Sequence, residues 1–441
     1  MTGLNEKFAD YSKNLNHIHP VLADGRVNKA AGLIIEATAK TGTVGDVCDI
    51  FLNENNSVRS EIVGFRNNNI LLMPLGETVG VAPGSRVRLS PEPLQIPVSN
   101  ALLGRVIDGL GNPIDGNIPI FSKQTRGVYN SPPNPLIRNR ITERLETGVR
   151  AIDGLITLGK GQRVGIFAGS GVGKSVLLGM MSRYTDADVN VIALIGERGR
   201  EVREFIERDL GKEGLKKSVV VVATSDQAAT VRIKSALIAT TIAEYFRDQG
   251  KNVLLLMDSL TRVSMAQREI GLAIGEPPTT KGYTPSVFAL MPRLLERAGN
   301  SDKGSITGLY TVLVDGDDMD EPIADAARSI LDGHIVLSRR IATKGHYPAI
   351  DVLESVSRLK HEVMTDQQKK ISQKILEQLS VYRDSEDLIN IGAYSKGTSP
   401  KIDKAINNIE NINGFLKQNI EDNSNYLQTL DKLEQISKGA L

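Results

Sequence analysis

Between residues 168 and 175 the chain reads Ala168-Gly169-Ser170-Gly171-Val172-Gly173-Lys174-Ser175, preceded by the apolar run RVGIFA and followed by VLLGMMSRY. A strand, a glycine-rich turn and a helix in that order make a phosphate cradle. Residues without a Cβ let successive backbone N–H groups close on phosphate oxygens, and the helix aims the positive end of its dipole at the anion. Gly169, Ser170, Gly171, Val172 and Gly173 form the turn. Lys174 would reach the β- and γ-phosphates of a nucleotide, and the Ser175 hydroxyl would ligate magnesium. The strict pattern opens on Gly where this chain has Ala168, a position that only starts the turn.

Two carboxylates stand at matching places on other apolar runs. NVLLLMD ends in Asp258, and a buried strand projects its C-terminal end into the ligand crevice of an α/β sheet. Asp258 would hold the magnesium shell opposite Ser175, through water. VNVIALIG runs into Gly196-Glu197-Arg198-Gly199-Arg200-Glu201. Glu197 is placed where a hydrolase needs a group to orient and polarise an attacking water, although spacing alone also allows a solvated charge run.

The elements that must position these groups follow from patterning. From about residue 145, the bursts QRVGIFA, VNVIALIG, SVVVVATS, NVLLLMD and SITGLYTVLV alternate with amphipathic stretches, the grammar of a mostly parallel sheet covered by helices. Residues 21–95 read instead as short alternating segments broken by Gly, Asn and Pro, a small β-barrel. A Pro- and Gly-rich passage over 103–140 reads as an extended crossing. Beyond residue 366 the helical spacing of Ile371, Ile375, Leu376 and Leu379, then Ile402, Ile406, Ile409, Ile412 and Leu416, predicts a small helical domain over 366–441. Leu4, Phe8, Tyr11, Leu15 and Ile18 share one face of a helix in the segment 1–20, which could dock a partner or fold back on the barrel.

Composition excludes several classes. The chain has 441 residues, 53 Lys and Arg against 52 Asp and Glu, a single cysteine and no tryptophan. A net charge of +1 advertises no nucleic-acid partner, and the lone Cys48 allows no intramolecular disulfide, which fits a reducing cytoplasm. The lack of CxxC or HExxH spacing argues against a structural metal site. The first twenty residues lack the pattern of a signal peptide, and no run approaches a membrane span.

The ordered set GSGVGKS, GERGRE, LLMDSLTR, GYTPSVF and YPAIDVLESVSR, with RDSEDLINIGAY in the tail, resembles the rotary ATP synthase α/β family, most closely its flagellar and type III protein-export ATPases. The resemblance implies an α/β fold with a RecA-like P-loop core over 96–365, working as a homohexamer with ATP and Mg2+ between subunits. It places Glu197 at the catalytic carboxylate, where a non-catalytic synthase subunit carries Gln. Arg198 and Arg262 then stand near the γ-phosphate and the catalytic carboxylate, Tyr347 packs on adenine, and Arg358 reaches the neighbouring subunit's site. The implied activity is that of a hydrolytic motor for flagellar protein export. A virulence secretion ATPase and the catalytic subunit of a rotary ATP synthase are the alternatives. Implied partners are a stator-like regulator at residues 1–20, a coiled-coil central stalk facing Glu276–Tyr283 in the pore, a membrane export gate, and export substrates with their chaperones. The implied place is the cytoplasmic face of the inner membrane at the flagellar base.

Overall fold

The computed structural model describes residues 24–39, 41–314, 316 and 318–438; the predicted partner-binding segment 1–20 lies outside them. The chain divides into two compact units, Met1–Gln95 and Ile96–Leu441.

In the first unit six strands close a barrel: β1 (Asp24–Ala31), β2 (Ile34–Thr38), β3 (Asp46–Phe51), β4 (Ser57–Arg66), β5 (Asn69–Pro74) and β6 (Arg86–Pro93), in the order β1-β2-β5-β4-β3-β6. Alternation sends Val27, Ile35, Ala37, Ile50, Ile62, Ile70 and Leu72 inward, where they pack with the buried Cys48. Asn67 and Asn68 both adopt positive φ, so β4 turns directly into β5 through the left-handed geometry that matches strand twist.

The second unit is built on a nine-stranded sheet. Its main path uses β7 (Val106–Asp108), β8 (Arg163–Ala168), β9 (Val189–Ile195), β10 (Ser218–Ala223), β11 (Asn252–Asp258), β12 (Ser305–Leu313), β13 (Gly333–Leu337) and β14 (Ile350–Ser357), ordered β14-β13-β8-β12-β11-β9-β10-β7. All neighbours along this path are parallel except β13 and β14. Strands such as β9 and β10 are buried at every residue, which is why they read as unbroken apolar runs rather than alternating ones. β7 comes from the Pro- and Gly-rich passage, and its three residues extend the sheet beside β10.

Three features of this unit bear on the site. Helix α1 (Lys174–Tyr184) follows β8 directly, α2 (Ala229–Arg247) is buried at nearly every position, and α3 (Leu260–Ala273) follows β11. Beyond residue 365 come α4 (Asp366–Asn390), α5 (Pro400–Leu416) and α6 (Tyr426–Lys438). Their residues Ile375, Ile412, Phe415, Leu416, Leu433 and Ile436 belong to the same apolar cluster as Val164, Ile166 and Leu178 around the sheet. The C-terminal helices therefore share the core of the strands that carry the glycine-rich turn.

Candidate functional site

β8 occupies the middle of the sheet, and the chain leaves its C-terminal end through the glycine turn into α1. Gly171 (φ 78°) and Gly173 (φ 88°) take left-handed conformations that a side chain would strain, so the turn needs glycine there. β11 lies two strands away, with β12 between. Asp258, its last residue, is only 3% exposed and faces the turn.

Lys174 joins the two strands. Its Nζ lies 2.6 Å from Asp258 Oδ1 and 3.4 Å from Glu197 Oε1. Thr311 on β12 donates its hydroxyl to the same Asp258 oxygen at 2.7 Å, which fixes the carboxylate's direction. Burial works against the Lys174 ammonium, but the two carboxylates outweigh it and hold its pKa above the usual value. Burial pushes the Glu197 carboxyl upward, with the nearby Glu201 carboxyl adding to the rise and Lys174 opposing it.

The backbone at Glu197 is itself held. Ser225 N–H donates to the Glu197 carbonyl at 3.0 Å. Gly196 has φ 72°, and a Cβ there would come within 2.8 Å of Arg262, so a glycine is needed for the close approach of α3. Arg262 lines the cavity with its Nε buried and without a hydrogen-bond partner. Arg198 also lines the cavity, but its side chain is 82% exposed and bonds Glu201 at 3.4 Å.

A cavity of about 490 Å³ is lined by the glycine turn, Lys174, Ser175, Glu197, Ser225 and Arg262. A second, of about 700 Å³, continues past Gly173 and Val176 to Tyr347, Pro348, Met180 and residues 417–422. The Tyr347 ring overlies the end of the turn, about 3.4 Å from where a Cβ on Gly173 would sit. The two cavities form an elongated cleft, polar where the phosphate cradle lies and apolar where Tyr347, Met180 and Ile420 meet.

Arg358 is not in this cleft. It follows β14, which runs antiparallel to β13, so it emerges where the parallel strands begin rather than where they end. Its backbone N–H donates to Asp332 O at 3.0 Å and its guanidinium to Arg328 O at 3.1 Å. From that end of the sheet to Gly169 is the length of β8, roughly 20 Å at about 3.3 Å per residue.

With this geometry in place, comparison with known proteins is decisive. The nucleotide-binding domain of the ATP synthase alpha/beta family matches residues 148–357, and that family's beta-barrel domain matches residues 27–90. The T3SS EscN ATPase C-terminal domain matches residues 364–435. The flagellum-specific ATP synthase of Bacillus subtilis is 57% identical over 400 residues, 90% of this chain and 91% of the relative. The one from Salmonella typhimurium is 51% identical over 424 residues, 93% of each. This chain belongs to the ATP synthase alpha/beta family.

Among solved members of the family, the assembled ATPase EscN from the enteropathogenic E. coli type III secretion system superposes with a TM-score of 0.89 at 46% identity, covering 94% of this chain and 100% of that one. EscN in complex with its central stalk EscO gives a TM-score of 0.88.

Sequence reasoning missed two parts of the family cleft. Thr311 is one; Ser305, Thr307 and Tyr310 in the same strand also carry hydroxyls, so nothing local distinguished it. The other is the 417–422 segment, which closes the cleft opposite Tyr347 and carries no pattern that ties it to a nucleotide.

Proposed function

We propose that this chain hydrolyses MgATP in the cleft and uses the cycle to drive protein export at the base of a bacterial flagellum. The observation that carries the reading is Lys174, poised at the mouth of the glycine turn between the two carboxylates of Asp258 and Glu197. It is a preorganised cation with its counter-charges already in place.

An arriving triphosphate takes the backbone N–H groups of residues 169–174, and Lys174 shares its charge with the β- and γ-phosphate oxygens. Ser175, exposed beside the turn, and Asp258, buried opposite, offer the oxygen donors that suit magnesium, which keeps waters and phosphate oxygens for its other positions. Bound there, the ion would neutralise charge on the phosphates. Glu197 orients a water toward the γ-phosphorus and draws on its proton as the oxygen–phosphorus bond forms and ADP departs. Arg262, with its unpartnered Nε, is in place to fix the Glu197 carboxylate. The adenine packs on Tyr347 in the apolar half of the cleft.

Arg358 lies too far from its own cleft to reach a γ-phosphate, so it serves the neighbouring copy. This fits a ring of six subunits with heterologous contacts, in which each site is complete only when two subunits close. The loop Glu276–Tyr283, exposed through most of its length, would face a central stalk, as EscN has in EscO. The segment 1–20 would bind a regulator, and the export gate, chaperones and substrates would meet the C-terminal helices. Among the described residues no helix is long and apolar enough to cross a membrane, so attachment to the membrane would run through these partners.

The test is extracellular flagellin in the source cell after Lys174→Ala in the chromosomal copy, with total flagellin as control. Lost export at unchanged synthesis is expected. Normal export would refute the flagellar role and favour a non-flagellar type III system.

A further inference from the structure

The segment that closes the apolar half of the cleft is pinned from three directions, and one side chain stands at their junction. Gln418 is 6% exposed. Its backbone N–H donates to the Tyr347 carbonyl at 2.9 Å. Its side-chain oxygen accepts the Arg150 N–H at 2.9 Å, and its side-chain nitrogen donates to the carbonyls of Gly148 at 2.7 Å and Asp422 at 2.8 Å. Both N–H donors and the oxygen of the amide are thus engaged, and only this orientation of the group satisfies all three partners.

The surrounding contacts show what the junction controls. Arg150 reaches back to the carbonyls of Phe415, at 2.9 Å, and Lys417, so it holds the chain on the N-terminal side of Gln418. On the other side, Arg183 and Tyr184, the end of the helix that begins at Lys174, donate to the Ile420 carbonyl at 2.9 and 3.0 Å. Gly148 is anchored through Asp153, whose carboxylate accepts its N–H at 2.9 Å. Gly148 also has φ 73°, and a Cβ there would meet Tyr184 at 2.4 Å.

We infer that Gln418 is a positioning residue for the base of the nucleotide: it locks Tyr347 and residues 419–422 into the two facing walls that grip the base. It lies outside the cavity that the glycine turn lines. Removing its side-chain amide frees residues 418–422 from Arg150 and Gly148, and so loosens the Gln418 backbone whose N–H holds the Tyr347 carbonyl, while leaving the glycine turn, Lys174, Asp258 and Glu197 as they are. This inference rests on the reading that the larger cavity holds adenine.

The test compares two ligands on the full-length chain: ATP, which fills both halves of the cleft, and magnesium tripolyphosphate, which fills only the phosphate half. Gln418→Ala should raise KM for ATP at least about tenfold, as loss of several buried hydrogen bonds implies, with kcat within roughly threefold. The inhibition constant of tripolyphosphate against ATP should stay unchanged. Gln418→Glu keeps the size of the side chain but sets a carboxylate oxygen against two carbonyls, so it should shift the same way; it reads the proposal even if the alanine variant folds poorly. An unchanged KM for ATP, or ATP and tripolyphosphate weakening together, would overturn the inference. Tyr347→Ala, measured in parallel, separates the two claims: if that variant leaves KM for ATP unchanged, the adenine reading itself has failed.

Discussion

Arg358, at the opposite end of its own sheet from the glycine turn, offers the most demanding prediction on the proposed reading that it serves a neighbour's cleft. A finger arginine is worth about 10³–10⁵ in turnover, so Arg358→Ala should reduce ATPase by at least three orders of magnitude. The side chain is exposed and donates to a backbone carbonyl, so the melting temperature should change little. Lys174→Ala should be inactive for a different reason, loss of the phosphate contact. The two variants, co-expressed and assembled together, then discriminate cis from trans action. An interface is whole when the subunit with an intact Lys174 faces one with an intact Arg358. In a randomly mixed ring that is about one quarter of interfaces. Steady-state ATPase of the mixture should therefore recover to a substantial fraction of wild type, up to about a quarter if sites turn over independently. If Arg358 acts within its own chain no interface can be rescued, and activity no higher than that of either variant alone would refute the trans assignment.

Two further predictions concern the core and the site's titration. Arg297 and Glu244 form a bidentate pair, both nitrogen-to-oxygen distances 2.8 Å, with side chains 2% and 3% exposed. Glu244→Ala strands that guanidinium and should cost about 3–5 kcal/mol in urea unfolding. Because burial holds the Glu197 carboxyl above the usual carboxylate value and only the ionised form can orient water, kcat/KM should fall with decreasing pH at a point above the ordinary Glu range. A pH profile with its acid limb at or below that range would contradict this.

What could be read in advance divides along physical lines. The glycine turn, Asp258 and Glu197 were legible because each is set by short-range grammar: an apolar strand, then the residue its C-terminal end must present. The full burial of β9 and β10, and of β11 beyond its first residue, made those strands plain as nearly unbroken apolar runs. β13 and β14 were not singled out as strands. They lie at one edge of the sheet, and β14 has exposed positions among its buried ones, so its outline is weak. Thr311 was hidden because its role depends on which strand lies between β8 and β11, a matter of sheet order that no local pattern encodes. Gln418 was hidden for a stronger reason. Its contact with Arg150 spans 268 positions, and the hydrogen bonds involved use backbone groups that every residue possesses. The helical spacing of the C-terminal segments was visible, whereas their sharing one core with the sheet was not, since periodicity tells which face is buried and not what covers it.

On the proposed function, Glu197 activates water at a nucleotide site that Lys174 and the glycine turn build without it. Glu197→Gln keeps the shape and removes the charge. The deciding measurement is equilibrium binding of MgATP to this variant beside its single-turnover hydrolysis rate. Binding within a few-fold of wild type, with hydrolysis reduced by about 10² or more, is the predicted result. Hydrolysis at the wild-type rate in the Gln variant would contradict the account.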